Sequence, residues 1–512
     1  MLARWAGYAA VVAGAVFLRF SALSWGAPFV YHPDEHFILH PALDIVRTGD
    51  PNPHWFQYPS LLIYVQALLI AALQPFIGAR LESSGAANGI GPWDALPEQW
   101  PFVLAGRIVV ALASVAGIAL LARVGERAHG RPAGLLAAAF LMAASLHNQS
   151  SHYLTTDVPA ATLVVATLAA SIGRRSGLAG FLAGLAAGTK YTAGIVVLVP
   201  LLAALDPESH VAAGRRRSRF HAMVRVLAGS VVGFLLSTPY AVLDPSAFLA
   251  GLAEQRRNYF AWAPQPGNLQ WYLSYLYEQG LGAALTILAG LGLVLGVMRA
   301  AYAVRRGDRP WLRLALVVPV LAYVPWIASY PSRAERNLII ILPFLCLAAA
   351  DALRWGCSFL RPAWLGSAAL AVLGGAVVWI SLPAVLEFNQ RLLLPDNRSL
   401  ALEWVRAHVP RGARIVREEY TPQIQEGEFD VDYTFSLGRH PYAHYLEERA
   451  QYLVASSNVY GRAVEPPYIA GDAGRELYRI VFGLPLAAEF PQGPLTRGPT
   501  VRIYRVPLPP DG

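Results

Sequence analysis

The chain contains a single lysine. Of its 41 basic residues among 512, all but Lys190 are arginine. It has two cysteines, Cys346 in an apolar run and Cys357 beside Arg354 and Arg361. That leaves neither a disulfide framework nor a zinc-type spacing. Charge is scarce: 14% of residues are Asp, Glu, Lys or Arg, against ~25% in a soluble protein. No glycine-rich phosphate loop of the nucleotide-binding kind is present. The net charge of +8 is arginine spread over short loops. Nucleic-acid binding would gather such charge on one soluble face, so a topology signal is the better reading and no nucleic-acid partner is expected.

What is there is apolar length. Hydrophobic residues make up 55% of the chain. Runs such as 102–121, 281–297 and 364–382 approach or exceed the ~20 residues that cross a bilayer. The composition thus describes an α-helical polytopic membrane protein in contact with membrane lipids. Residues 2–23 form the first apolar segment. It is read as an uncleaved helix rather than a signal peptide, because cleavage would leave the carboxylates that follow on a frayed end.

Arginine counts orient the rest. Arg123, Arg127 and Arg131 mark one loop, Arg174 and Arg175 a second, and Arg215, Arg216, Arg217 and Arg219 a third. Arg299, Arg305, Arg306 and Arg309 mark a fourth, Arg354 and Arg361 a fifth. Positive charge stays inside, so these loops belong to the cytoplasm of a multi-pass plasma-membrane protein. The segments between them then face outward: 147–157, the turn at Lys190-Tyr191, 239–279 and 330–337. Residues 59–76 break the parity if they span. They are read as an outer-surface or re-entrant helix, with Gln66 and Gln74 easing an interfacial position. About eleven spanning helices result, with outer juxtamembrane helices besides. After Leu382 the composition turns mixed and polar. Residues 397–408 read as an amphipathic helix with Leu400, Trp404 and Val405 on one side, and 414–416, 452–455 and 501–504 as strands. This divides the chain into a membrane domain, 1–383, and a small soluble α/β domain, 384–512, outside the cytoplasm.

Several residues could carry chemistry. Tyr31-His32-Pro33-Asp34-Glu35-His36-Phe37 lies where the first helix should leave the bilayer, and ionisable groups there are costly unless hydrated or paired. A carboxylate can take a proton from an attacking hydroxyl. An Asp ahead of a helix starting at Glu35 or His36 can equally cap it. His32, His36 and His40 are spaced i, i+4, i+8. With Glu35 and His54 they are donor types for a divalent cation, and also ordinary hydrogen-bonding or substrate contacts; no metal or other cofactor is fixed by the spacing. Asp157, in His152-Tyr153-Leu154-Thr155-Thr156-Asp157-Val158-Pro159, is an N-cap candidate, or a carboxylate that holds a metal or orients a basic residue. Lys190, Arg333 and Arg336 are basic residues on the outer side, suited to the negative charge of a phosphate leaving group or to lipid headgroups and Glu335.

Together these residues resemble a known family. Tyr31-His32-Pro33-Asp34-Glu35, followed by the run from Thr48 to Leu61, resembles the first outer loop of the GT-C glycosyltransferases. The similarity is to the superfamily of protein mannosyltransferases and lipid A aminoarabinose transferases. Thr155-Thr156-Asp157-Val158-Pro159 resembles its second acidic motif. Gly184-Leu185-Ala186-Ala187-Gly188-Thr189-Lys190-Tyr191 resembles its glycine-rich helix ending in Thr-Lys, and Glu335-Arg336-Asn337-Leu338 with Pro343 its late Glu-Arg-Tyr…Pro segment. The likeness covers roughly residues 1–350.

It implies a GT-C architecture and an inverting transferase that moves a sugar from a polyprenyl-phosphate donor to a lipid, glycan or protein hydroxyl on the outer face. Asp34 then matches the catalytic residue, with Glu35 beside it, and Asp157 the second carboxylate. Lys190 and Arg336, with Arg333 nearby, match donor-phosphate contacts, and His32, His36, His54 and Tyr58 fall in the substrate-binding first loop. Two departures stand out. Gln57-Tyr58-Pro59-Ser60-Leu61 lacks the basic residue common before Pro-Pro-Leu, and Asn337 replaces the commoner Tyr. Competing readings are a GT-C mannosyltransferase of the lipid-anchor branch, which shares a His-Pro-Asp-Glu-like motif, a lipid or sugar transporter, and a non-catalytic scaffold.

Overall fold

A computed structural model describes residues 2–82, 94–205, 215–260, 266–306, 311–424, 427–465 and 472–508. Arg309 of the fourth arginine loop lies outside these described residues. Six helices among them are long and apolar enough to cross a membrane: Pro97–His129, Arg219–Ser237, Ala283–Arg305, Trp311–Ala328, Glu335–Cys357 and Ala363–Leu392. Six shorter apolar helices accompany them, including Leu61–Ile77, Asp157–Ile172 and Ser176–Ala187. The segment expected at 59–76 is thus a helix of 17 residues, about 26 Å at 1.5 Å per residue. Its Gln66 is fully buried, so that residue does not act as the interfacial anchor expected of it.

Contacts group the chain into two units. One comprises Met1–Leu23, Asp50–Leu69 and Ala105–Asn389; the other Ser24–Gly49, Ile70–Leu104 and Gln390–Gly512. The helix that begins at Ala363 runs through Pro383 to Leu392, so the polypeptide changes unit at 389/390 within a continuous helix. The motif loop at 31–37 and residues 70–104 group with the C-terminal segment.

In the first unit, the segments expected outside the cytoplasm meet at one end. Asn268 donates to the Tyr330 carbonyl at 2.5 Å. Arg333 donates to Asn268 Oδ1 at 2.8 Å. Leu61 N–H reaches the Gly188 carbonyl at 3.1 Å. At the far end of the helices, the buried Asp351 carboxylate gathers His129, Arg299 and Arg354 at 3.3, 2.5 and 3.0 Å. Residues of the first, fourth and fifth arginine-marked segments thus meet at one carboxylate, as a shared membrane side requires.

Two local devices hold this end of the first unit in place. The first is a broken helix. Arg131–Ala143 stops at Ala144, whose extended backbone starts a new turn, Ser145–Ser150. The break leaves carbonyls without helical partners. The fully buried Arg19 guanidinium takes two of them, Met142 at 2.6 Å and Leu141 at 3.2 Å. His152 is then held between the Asn148 and Ser21 carbonyls at 2.8 and 2.9 Å, which fixes the approach to Asp157.

The second device is a glycine ladder. Ser176–Ala187 packs on Arg215–Ser237 with almost no space between backbones. A Cβ on Gly180 would overlap the Val226 carbonyl, one on Gly184 the Ser230 carbonyl, and one on Gly233 the Phe181 carbonyl. Lipid supplies no hydrophobic drive to join helices, so close backbone contact between small residues does it instead. Ser230 Oγ adds a bond to the Gly180 carbonyl at 3.1 Å. The ladder ends at Thr189-Lys190. Gly184→Leu is expected to cost at least ~1–3 kcal/mol of overpacking and to abolish activity, read as a lower melting temperature in detergent. Gly290→Ala is the control, because nothing lies within 4 Å of its added Cβ; equal melting of the two variants would refute the ladder.

In the second unit, the strands β1 (Arg414–Glu418), β2 (Asp430–Thr434), β3 (Tyr452–Ser456), β4 (Leu486–Phe490) and β5 (Val501–Arg505) form a sheet of order β2-β1-β3-β5-β4. β1 runs parallel to β2 and β3, while β5 is antiparallel to β3 and β4. β1, β3 and β5 are the expected strands, extended by one or two residues. β2 and β4 were not foreseen, because their side chains are mostly half-buried and carry no clear apolar alternation. The expected helix is Asn397–His408, capped by the Asp396 carboxylate on Arg398 N–H at 3.0 Å. Its buried face is Ala401, Leu402 and Val405. Leu400 and Trp404 sit at its margin, a rotation away from the face expected.

Candidate active site

Two groups of candidate residues emerge, one in each unit. In the first unit, Asp157 opens the helix Asp157–Ile172 with Thr156 at the N-cap position, and no side chain caps it. The Asp157 carboxylate instead pairs with Lys190, 33 residues on, and both are buried. Of the roles left open for Asp157, orienting a basic residue is the one seen. Burial opposes the charge on Lys190, yet the neighbouring Asp157 carboxylate and its hydrogen bond outweigh it and hold the ammonium above its ordinary pKa. One of the three ammonium donors goes to Asp157.

Tyrosines surround the pair. Burial first, then Tyr259 and Asp157, push the Tyr58 phenol up. Tyr259 is pushed up to about 12 by burial and by Asp157. Both are therefore neutral hydroxyls at physiological pH. Tyr323 donates to the Asn337 carbonyl at 2.9 Å and lies 3.2 Å from Thr192 Oγ1. Asn337, noted as a departure from the family pattern, is buried and hydrogen-bonds Tyr259. Tyr259 and Tyr323 were missed in the sequence, where 23 tyrosines give no positional signal.

The first-loop residues of this unit are tied down around the same end. Tyr191 donates to the Phe56 carbonyl at 2.9 Å, and Asn258 to Gln57 Oε1 at 3.1 Å. Arg333 is committed to Asn268, to the Pro266 carbonyl at 2.8 Å and to the Trp271 ring face at 5.6 Å. Arg336 is half-buried at the start of the Glu335–Ile341 turn. His54 is exposed, and its ring lies 2.9 Å from Asp50.

In the second unit, Pro33, Asp34 and Glu35 form a turn that leads into the helix His36–Thr48. The helix N-cap position is Glu35, without a side-chain cap, so Asp34 does not play the capping role considered for it. Asp34 N–H donates to His32 Nδ1 at 3.2 Å. Glu35 is fully buried, whereas Asp34 and His32 are half-exposed. The His36 ring lies 5.9 Å from that of His40, tilted by 37°. Burial, with the neighbouring His40 and His32, keeps the His36 imidazole far below its ordinary pKa, and burial lowers His40 to about 4. Among the described residues, no three His, Cys, Asp or Glu side chains group as a metal site. No step is routed through a divalent cation.

A family model and the solved structures point to the same kind of protein. A sequence search of curated proteins finds no match. Among solved structures, the chain is similar to the Archaeoglobus fulgidus oligosaccharyltransferase in complex with Zn and sulfate. The TM-score is 0.58 at 11% identity, over 96% of this chain and 72% of that one. The same archaeal enzyme with an inhibitory peptide and a dolichol-phosphate gives 0.52 at 12%, over 88% and 69%. ArnT from Cupriavidus metallidurans bound to undecaprenyl phosphate gives 0.51 at 15%, over 96% and 97%. At such identities the likeness is one of fold, and the fold is that of membrane-embedded GT-C glycosyltransferases, as the sequence motifs implied. The family model for glycosyltransferase family 87 matches residues 90–349, half of the chain, and the chain belongs to that family.

Proposed function

We propose that this glycosyltransferase takes its sugar from a polyprenyl-phosphate donor and passes it, with inversion, to an acceptor hydroxyl at the outer face of the plasma membrane. The observation that carries this reading is Lys190: the one lysine of the chain, buried, kept charged, and placed by a glycine ladder among neutral tyrosine hydroxyls. Such a group suits a phosphate held away from water. The bound undecaprenyl phosphate and dolichol-phosphate of the similar structures support the same donor class.

In this mechanism the acceptor oxygen attacks the anomeric carbon and the carbon–oxygen bond to phosphate breaks. Asp34 takes the acceptor proton. The polyprenyl phosphate leaves with the bonding electron pair, its charge met by the ammonium of Lys190 and by Arg336. Asp157 holds Lys190 in place. Glu35, buried and next to Asp34 in the chain, orients the turn. Tyr58 and the histidines His32, His36 and His54 are assigned to substrate contacts, and Arg333 shapes the loop that carries Arg336. The C-terminal segment is assigned to the outer side of the membrane.

Native mass spectrometry of the purified protein tests the donor class. A co-purified polyprenyl phosphate or its sugar-linked form is expected, together with turnover of a radiolabelled polyprenyl-phosphate sugar in proteoliposomes. Transfer from a nucleotide sugar alone, with no use of the lipid-linked donor, would refute the reading.

A further inference from the structure

The second unit contains a cleft beside the motif turn, and the reaction above gives no role to its Asp94, Arg417, Tyr420 and Gln423. It is partly open to solvent and is lined by His32 and His36 of the motif loop, by Asp94, and by Arg417, Tyr420 and Gln423. We infer that this cleft is an acceptor subsite for a hydroxyl-rich group, a sugar or similar polyol. The inference rests on the transferase reading and narrows it: the acceptor is a glycan or glycosylated headgroup rather than a peptide hydroxyl.

The first argument is charge. Each cation of the cleft is already paired. Arg417 Nη2 binds the Asp94 carboxylate. Arg398, also at the cleft, is held by Asp396 at 2.8 Å through both Nε and Nη2. A second carboxylate, Glu419, lines the same space and accepts from Tyr433. An anionic ligand would meet two carboxylates and no spare cation, so the cleft is a poor phosphate site. An apolar ligand would desolvate ion pairs for no return. A neutral polar ligand is what remains.

The second argument is unmet hydrogen bonding. Gln423 and Arg417 are 7% and 1% exposed, yet Gln423 Oε1 and Arg417 Nε have no partner. The Gln423 amide cannot be turned to cure this. Its Nε2 donates to Asp94 Oδ1 at 3.0 Å and to the Val30 carbonyl at 3.2 Å, and a flip would set oxygen against both acceptors. The cleft residues therefore offer an unmet acceptor and an unmet donor. A hydroxyl supplies both roles, and a pair of neighbouring hydroxyls supplies them at once.

The third argument is Tyr420. Its φ is +60°, a left-handed backbone that a bulky residue holds only when the surroundings enforce it. The strain sets an aromatic side chain in the wall of a polar cleft. Aromatic rings beside planar polar groups suit the mixed C–H and O–H surface of a sugar. Pro33, His32 and His36 complete the wall, so the cleft adjoins the turn that carries Asp34.

The test uses the full-length protein in detergent and saturation-transfer NMR. The probes are the methyl glycosides of mannose, glucose and arabinose, with N-acetyl-Ala-Thr-Ala-amide as the peptide comparison. At least one glycoside is expected to receive saturation. Gln423→Leu and Tyr420→Gly are each expected to weaken its Kd by about tenfold, the worth of one lost hydrogen bond or ring contact. Tyr420→Gly suits the left-handed backbone, so its melting temperature should hold and any loss of binding reports on the ring. Binding of undecaprenyl phosphate, titrated in parallel, should be unchanged in both variants. No glycoside binding, glycoside binding indifferent to both variants, or binding of the threonine peptide alone would overturn the subsite. Wild-type protein that binds glycosides but not undecaprenyl phosphate would uphold the subsite and refute the donor assignment instead.

Discussion

Lys190→Met is expected to destabilise the first unit by ~3–5 kcal/mol, the usual result of leaving one partner of a buried ion pair unpaired. The Asp157 carboxylate would stay buried with its cation gone. Asp157→Leu is expected to do the same from the other side, leaving an ammonium among tyrosine hydroxyls. The double variant Asp157→Leu/Lys190→Met removes both charges, and apolar replacement of a whole pair is often neutral or stabilising. Its melting temperature in detergent should therefore return to near the wild-type value. Its sugar transfer should not return, because the donors proposed for the leaving phosphate are absent. The cycle separates two roles that single variants confound. A double variant that regains both stability and transfer would make the pair purely structural. A Lys190→Met protein that melts like the wild type would show that burial of the pair carries little energy.

Asp34→Asn should leave folding intact and lower kcat by ~10²–10⁴-fold, the range for removing a positioned general base. Asp34 is half-exposed in a turn, so an isosteric amide loses the base but little packing. The KM for the lipid-linked donor should stay close to its wild-type value, since the phosphate contacts are assigned elsewhere. Glu35→Gln should behave differently. Glu35 is fully buried and offers no surface to an acceptor, so its loss should appear chiefly in the melting temperature, with a smaller fall in kcat. A Glu35→Gln variant that is stable and inactive, beside an active Asp34→Asn, would exchange the two assignments. Rates are best compared in initial-rate assays with the donor saturating.

Much of the fold could be read from local signals. Apolar runs longer than a bilayer mark helices whatever their partners, because the bilayer requires each segment to satisfy its own backbone. The helix Asn397–His408 follows from its Asp396 cap and from Gly412 beyond it. The uncapped start of Asp157–Ile172 was harder. Asp157 reads as a cap by position, and only the approach of Lys190 shows it committed to an ion pair. Strands β2 and β4 carried no periodic signal, because a half-buried strand near a sheet edge gains its order from its neighbours rather than from its own apolar pattern.

The sequence by itself determined the membrane class, the gathering of arginine in short loops, the motif turn around Asp34 and the glycine spacing that ends in Lys190. Each depends on composition or on residues a few positions apart, where bilayer thickness and helical period act directly. Only the tertiary structure decided that Lys190 meets Asp157, that Tyr58 and Tyr259 close around them, and that Gln423 and Arg417 share a cleft with the motif loop. These meetings join residues tens to hundreds of positions apart. Periodicity tells a helix which face to bury but not against which partner; the partner is chosen by packing of the whole chain.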